Sequence, residues 1–181
     1  MRSPPIATYA TPFGIGVVQY KDRCVLSLRL PTVRGVMGRT MPPTWVRDLC
    51  QRLTAFFEGA LSDWRDVPLD WQRIRPFDRA VYQMALTIPF GETRTYGEVA
   101  EVIGRPNAAR AVGGALGRNP FAPIVPCHRV VARNGLGGFS ADDGISLKQK
   151  LLQLEQRDSL KQPRQFPSIQ RSKTFDDLLK R

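Results

Sequence analysis

Apolar and polar positions change their period several times along the 181 residues, and each change marks an element. Residues 14–20 (Gly-Ile-Gly-Val-Val-Gln-Tyr) and 23–30 (Arg-Cys-Val-Leu-Ser-Leu-Arg-Leu) predict two strands joined by a turn at Lys21-Asp22. Pro42-Pro43-Thr44 then opens a helix, because Val46, Leu49, Cys50, Leu53, Phe56 and Phe57 recur at helical spacing and Gly59 lies near its end. Val67, Leu69 and Trp71 alternate, which predicts a further short strand. Residues 1–74 therefore read as a small α+β domain. It shows no chemistry: Cys24 and Cys50 fall inside apolar patterns and are expected in the core.

From about Arg75 the pattern becomes helical and the stretch 75–156 reads as a second domain. Pro76 starts a helix with the stripe Phe77, Val81, Met84, Ala85 and Ile88, stopped by Pro89-Phe90-Gly91. Tyr96 to Ile103 and Ala108 to Leu116 are two short helices around the breaker turn Gly104-Arg105-Pro106-Asn107, the outline of a helix-turn-helix. After Asn119-Pro120 the chain is expected to run extended through Pro123-Ile124-Val125-Pro126 into Cys127-His128-Arg129-Val130-Val131, followed by a glycine-rich loop, 134–140. Ser146 to about Gln156 is a last helix, with Leu147, Leu151, Leu152 and Leu154 as its apolar positions. The expected fold class is thus mixed α/β of the α+β kind, a strand-plus-helix domain followed by a mainly helical one. Residues 157–181 form a tail with seven basic residues against three acids, whose composition predicts flexibility.

Charge adds a partner to this picture. The net charge of +11 favours a polyanion, most often nucleic acid. Between Glu101 and Asp142 there is no acidic residue, while Arg105, Arg110, Arg118, Arg129 and Arg133 all lie there. A surface pressed against phosphates repels carboxylates, whereas an ordinary solvated face mixes signs. No apolar run is long enough for a transmembrane helix, and residues 1–10 lack the apolar segment of a signal peptide. Three scattered cysteines fit a reducing compartment, and with one histidine they do not supply a local zinc site. Neither a metal nor a cofactor is expected, no membrane partner is expected, and the expected location is cytoplasmic, associated with the nucleoid, or nuclear in a eukaryote.

The candidate chemistry sits in Pro126-Cys127-His128-Arg129-Val130. Thiols attack as thiolates, so a cysteine nucleophile needs a base, and His128 is the only imidazole in the chain. In the helix from Ala108 to Ala115 a lone Arg110 stands among alanines and glycines, which permit close backbone approach.

These residues carry a family resemblance. Residues 89–155 closely resemble the C-terminal domain of the O6-alkylguanine-DNA alkyltransferases, the methylated-DNA–protein-cysteine methyltransferases. The likeness rests on Pro126-Cys127-His128-Arg129-Val130, Ala109-Arg110-Ala111-Val112-Gly113-Gly114-Ala115, Asn119-Pro120, Tyr96-Gly97, and Lys148 with Leu151-Leu152 and Glu155, all in the right order and spacing. The first domain is similar only in outline, including Ala10-Thr11-Pro12-Phe13-Gly14.

The resemblance implies direct-reversal DNA repair, by irreversible alkyl transfer from O6-alkylguanine in duplex DNA to Cys127, with O4-alkylthymine as a further candidate substrate. It implies a relay of Cys127, water, His128 and Glu155, and single turnover. Asn119 would tie the recognition helix to the active-site segment, and Tyr96 would sit near the flipped base. Ala109, Arg110, Gly113, Gly114, Arg105 and Arg118 would face DNA, with Arg110 filling the stack left by the flipped nucleotide. Pro126, Val130, Phe139 and Ser140 would line the base pocket. The expected partner is double-stranded DNA carrying O6-alkylguanine, with self-association along DNA allowed.

The chain departs from the family pattern at Phe139-Ser140-Ala141-Asp142-Asp143-Gly144-Ile145, a loop altered in length and carrying two acids. Three other classes match part of the pattern: a non-enzymatic protein that recognises alkylated bases, a helix-turn-helix transcription regulator, and a Cys-His hydrolase. Stoichiometric labelling of Cys127 by an alkylguanine separates all three from the alkyltransferase.

Overall fold

The computed structural model describes residues 3–33, 41–60, 62–138 and 144–159. It is a mixed α/β structure. Strands β1 (Ile6–Thr11), β2 (Gly14–Lys21) and β3 (Cys24–Thr32) form an antiparallel meander in the order β1-β2-β3. The turn at Lys21-Asp22 is where the sequence puts it, with Asp22 at φ 53°. Strand β1 is not evident from the pattern. Its inward positions are Ala7, too small to signal a core, and Tyr9, whose hydroxyl donates to Arg29 O at 3.1 Å. Tyr9 pairs across the ladder with Gly16, and its ring occupies the space a Cβ would fill there.

Helix α1 (Thr44–Phe57) buries Val46, Leu49, Leu53, Phe56 and Phe57 and packs on β1. The Phe57 ring lies 6.1 Å from that of Tyr9. Cys24 and Cys50 are half-buried, with Cys50 packed against the core; burial pushes the Cys50 thiol up to about 11. The strand expected at Val67, Leu69 and Trp71 is a single bridge, Val25 to Leu69. Pro68 cannot donate to a ladder, and Asp70 ends the segment by accepting from Gln72 N, which starts a 3-10 turn at Trp71–Arg73.

Helix α2 (Pro76–Leu86) has proline in its first turn, where a missing N–H costs nothing. Two-residue strand β4 (Arg94–Thr95) leads into α3 (Tyr96–Val102), which starts with a capping box between Thr95 and Glu98. The turn to α4 (Ala109–Gly117) passes through left-handed Gly104 and Asn107, giving the helix-turn-helix. Strand β5 (Val130–Val131) pairs in parallel with β4, so the segment that carries Cys127 is stitched to the start of α3.

Helix α5 (Gly144–Ser159) is longer at both ends than the expected 146–156 and crosses the expected boundary at 157. The part of the tail from 160 onward lies outside the described residues, as do Phe139 and Ser140. One continuous core runs from Ala7 to Leu151. Leu28 N donates to Pro120 O at 2.6 Å, and the Trp71 and Phe121 rings are 5.5 Å apart, so the first 74 residues pack directly on the segment that leads to Cys127. Among the described residues no helix is long and apolar enough to cross a membrane.

Phe56 sits at the centre of this junction, with ring contacts to Phe57, Trp64, Phe90 and His128. Phe56→Ala is expected to cost about 3–5 kcal/mol, as for other large aromatic truncations in a core, read as a lowered urea midpoint with an unchanged slope.

Candidate active site and DNA-facing cleft

Residues 120–124 form turns and Cys127–Arg129 a 3-10 turn, rather than the extended segment expected through Pro123-Ile124-Val125-Pro126 into Cys127. Arg129 N donates to Pro126 O and closes the turn. The turn sends consecutive side chains in different directions. Cys127 borders the cleft, His128 is 1% exposed, and Arg129 runs back into the protein.

Behind the thiol lies a buried charged cluster. The carboxylate of Glu155, 0% exposed, lies 2.6 Å from His128 Nε2 through Oε1. Arg129 Nε donates to Oε2 at 2.9 Å and Nη2 donates to Oε1 at 2.9 Å. Gly91 N donates to Oε2 at 3.2 Å. Burial pushes the Glu155 carboxyl up, but His128 and Arg129 pull it down further, to about 2. Burial lowers His128 against the pull of Glu155, so the imidazole is neutral at rest. An anionic Glu155 accepts, so the proton of the neutral ring sits on Nε2 and the lone pair on Nδ1. Among the described residues Nδ1 has no hydrogen-bond partner.

The thiol is raised by burial, an effect that the Asn119 side chain and the Lys148 charge oppose. Asn119 also bridges two segments: its Nδ2 donates to Val125 O at 2.8 Å and its Oδ1 accepts from Phe121 N at 3.0 Å. Lys148, which sequence reasoning quoted without a role, is fully buried; its Nζ donates to Val130 O at 2.7 Å and lies 5.7 Å from the centre of the Tyr96 ring. Burial pushes this ammonium down to about 8. Tyr96 is half-buried at the start of α3 and reaches Gly138 O at 3.4 Å. Left-handed Gly137 lies under its ring, where a Cβ would come within 2.8 Å of it.

A cleft of about 800 Å3 opens in front of Cys127. One wall is α4, through Ala109, Arg110, Gly113 and Gly117, with Tyr96 and Asn119 beside them. Arg110, Gly113, Gly114 and Gly117 share one helical stripe at i, i+3, i+4 and i+7. The buried side of the same helix is Val112, Ala115 and Leu116. The other wall is β3, from Leu28 to Thr32. The sequence held no sign of chemistry in that half, because an edge strand lining a cleft looks like any other strand.

The arginines divide in a way that charge alone does not show. Arg105 and Arg110 are exposed and, among the described residues, have no ion-pair partner. Arg118, assigned to DNA on charge, is half-exposed and pairs with Asp78 through two bonds of 3.2 and 2.8 Å, which pin α4 to α2. Arg129, counted among the phosphate-facing arginines, is buried with Glu155. Pro126 and Val130 are buried beside Cys127; Phe139 and Ser140 lie outside the described residues.

The fold thus presents a helix-turn-helix whose outer face borders a buried thiol, with an imidazole and a carboxylate behind it. Residues 76–157 match the family model described as the DNA binding domain of 6-O-methylguanine DNA methyltransferase. A methylated-DNA–protein-cysteine methyltransferase of Mycolicibacterium paratuberculosis is 42% identical over 156 residues, 84% of this chain and 92% of that one. One from Metallosphaera sedula is 37% identical over 82% of this chain and 90% of its own length. The crystal structure of Mycobacterium tuberculosis OGT in complex with DNA superimposes with a TM-score of 0.71 at 40% identity, covering 84% of this chain and 92% of that one. The chain belongs to the methylated-DNA–protein-cysteine methyltransferase family, whose members carry out alkyl-transfer repair of DNA.

The Glu155 cluster predicts a pH dependence of stability. A carboxyl held near 2 instead of the ordinary 4.5 contributes fully above pH 4.5, and the contribution is lost as pH falls towards 2. Glu155→Gln, which leaves Arg129 buried opposite a neutral group, is expected to cost about 3–5 kcal/mol near neutral pH. The gap between the two proteins, measured by urea unfolding, narrows between pH 4.5 and 2.

Proposed function

We propose that Cys127 accepts the alkyl group of O6-alkylguanine from a flipped-out nucleotide and keeps it. The observation that carries this reading is the arrangement behind the thiol: a buried neutral imidazole with an unpartnered Nδ1, backed by an anionic carboxylate. In the reaction the Cys127 proton passes through a water to His128 Nδ1. The thiolate attacks the alkyl carbon in line, the S–C bond forms, and the C–O6 bond breaks with its electron pair going to the guanine. The proton held by His128 then returns to the base. Glu155 stabilises the transient imidazolium. A thioether has no good leaving step, so each molecule acts once. The same chemistry extends to O4-alkylthymine, whose alkyl carbon is equally activated by a lactim ether.

The target atom lies inside the duplex, so the nucleotide must leave the stack. Exposed Arg110, without an ion-pair partner among the described residues, is the side chain suited to fill the gap, and the glycine stripe of α4 lets backbone approach backbone in the minor groove. A Cβ at Gly113 would meet only Tyr96, at an ordinary 3.8 Å, so the fold itself does not demand glycine there. What approaches from outside supplies the demand. Tyr96, Asn119, Pro126 and Val130 surround the place the base would take. Arg105 supplies attraction for phosphates, and Arg118 acts through its hold on α2.

Intact-protein mass spectrometry after incubation with an O6-methylguanine duplex tests the reading. The expected gain is one CH2 unit per chain, with no further gain on longer incubation and none in Cys127→Ala. Lesion binding without a mass gain would make the protein a damage-recognition factor instead. Arg110→Ala is expected to slow transfer from duplex DNA by about a hundredfold, given an unstacking cost of about a few kcal/mol. Transfer from free O6-benzylguanine, which needs no flipping, stays near the wild-type rate.

A further inference from the structure

Arg129 is adjacent to the two reacting residues, yet its guanidinium faces away from the cleft. It makes a two-pronged contact with Glu155, donates from Nη1 to Ile88 O at 2.7 Å, and lies 5.2 Å from the centre of the Phe90 ring. Its donors are directed at Glu155 and Ile88 rather than at the cleft, and its side chain is only 10% exposed. It therefore does not serve as a phosphate contact, and an arginine is a costly filler for a core.

We propose that Arg129 is a positioning residue: it holds Glu155 as an anion and so fixes His128 as the Nε2–H tautomer, leaving the Nδ1 lone pair to receive the Cys127 proton. The inference rests on the proton relay described above.

The argument is one of charge and geometry. A buried carboxylate next to a neutral imidazole has two ways to avoid an isolated negative charge. The pair can take up a proton from solvent, so that the carboxyl becomes neutral and donates to Nε2 while the imidazole carries its own proton on Nδ1, or the carboxylate can be matched by a cation. In the first case Nδ1 points a proton, not a lone pair, towards the thiol, and the relay is blocked. Arg129 supplies the cation, and its planar fork engages both carboxylate oxygens while His128 keeps Oε1. The resting cluster of Arg129, Glu155 and His128 is then neutral. It becomes cationic only when His128 accepts a proton, so Arg129 also resists early formation of an imidazolium. The titratable groups around the Cys127–His128 pair are Glu155 and Lys148 from α5, Tyr82 from α2, Tyr96 from α3, and Arg129. Glu155 favours the charged imidazole, whereas Arg129 and Lys148 oppose it. The Phe56 ring packs on His128 and the Phe90 ring lies beside the Arg129 guanidinium, and neither carries a charge.

His128 is the single histidine, so the untagged chain with 15N-labelled imidazole gives a spectrum of this residue alone. The wild type is expected to show the Nε2–H tautomer at neutral pH. Arg129→Lys keeps the charge and retains that tautomer. Arg129→Gln removes the charge: Nδ1–H appears, and His128 titrates about one pH unit or more higher, as loss of a neighbouring cation requires. The low-pH limb of the methyl-transfer rate moves upward with it, which a purely structural role would not cause. A folded Arg129→Gln with unchanged tautomer and titration overturns the proposal. So does Arg129→Lys with Nδ1–H present, and that variant decides the matter alone where Arg129→Gln does not fold. Should the tautomer respond as expected while His128→Gln transfers methyl groups at the wild-type rate, the relay fails and the positioning by Arg129 stands.

Discussion

The ionised carboxylate of Glu155, fully buried, is the constraint on which the rest of the site depends. An anion out of water is tolerated only when its lone pairs are met by good donors. Here those donors come from Gly91, His128 and Arg129, which reach one side chain from the end of the α2 segment and from the 3-10 turn. Meeting that requirement sets the depth of α5, the shape of the turn after Pro126 and the orientation of the imidazole. The position of Cys127 at the foot of the cleft follows from the same turn.

Reactivity is withheld by the same burial that organises the site. The thiol and the imidazole are both pushed towards their neutral forms, so at rest the nucleophile is unactivated. Under the proposed single-use chemistry, a thiol that stays protonated until a base fills the cleft avoids unproductive reaction. The cation of Lys148 and the Asn119 side chain lower the cost of forming the thiolate at that moment.

The two halves of the chain are less separate than their sequence patterns imply. Strand β3 forms one wall of the cleft, and Phe56 of α1 packs on the His128 ring. Neither contribution has a local signature. A strand that lines a cleft and a helix face that packs on a buried histidine show the same apolar spacing as any core element.

Much of this protein was legible residue by residue. Helical spacing, Pro76 at a helix start, Gly104 and Asn107 in the turn, and the acid-free segment from 102 to 141 are local features, and helices, turns and charge density follow from local chemistry. The Cys127-His128 pair and the small-residue helix around Arg110 pointed to the chemistry for the same reason. Strand β1 escaped because its inward residues are alanine and a tyrosine with a polar end, and Pro68 turned an alternating run into a single bridge. The fate of the arginines was beyond the reach of sequence: Arg110 has no ion-pair partner among the described residues and lines the cleft, Arg118 finds Asp78, and Arg129 turns inward to Glu155. Their positive charges are identical along the chain, and only packing, which brings residues 40 and 26 positions apart into contact, decides which of them meets an acid.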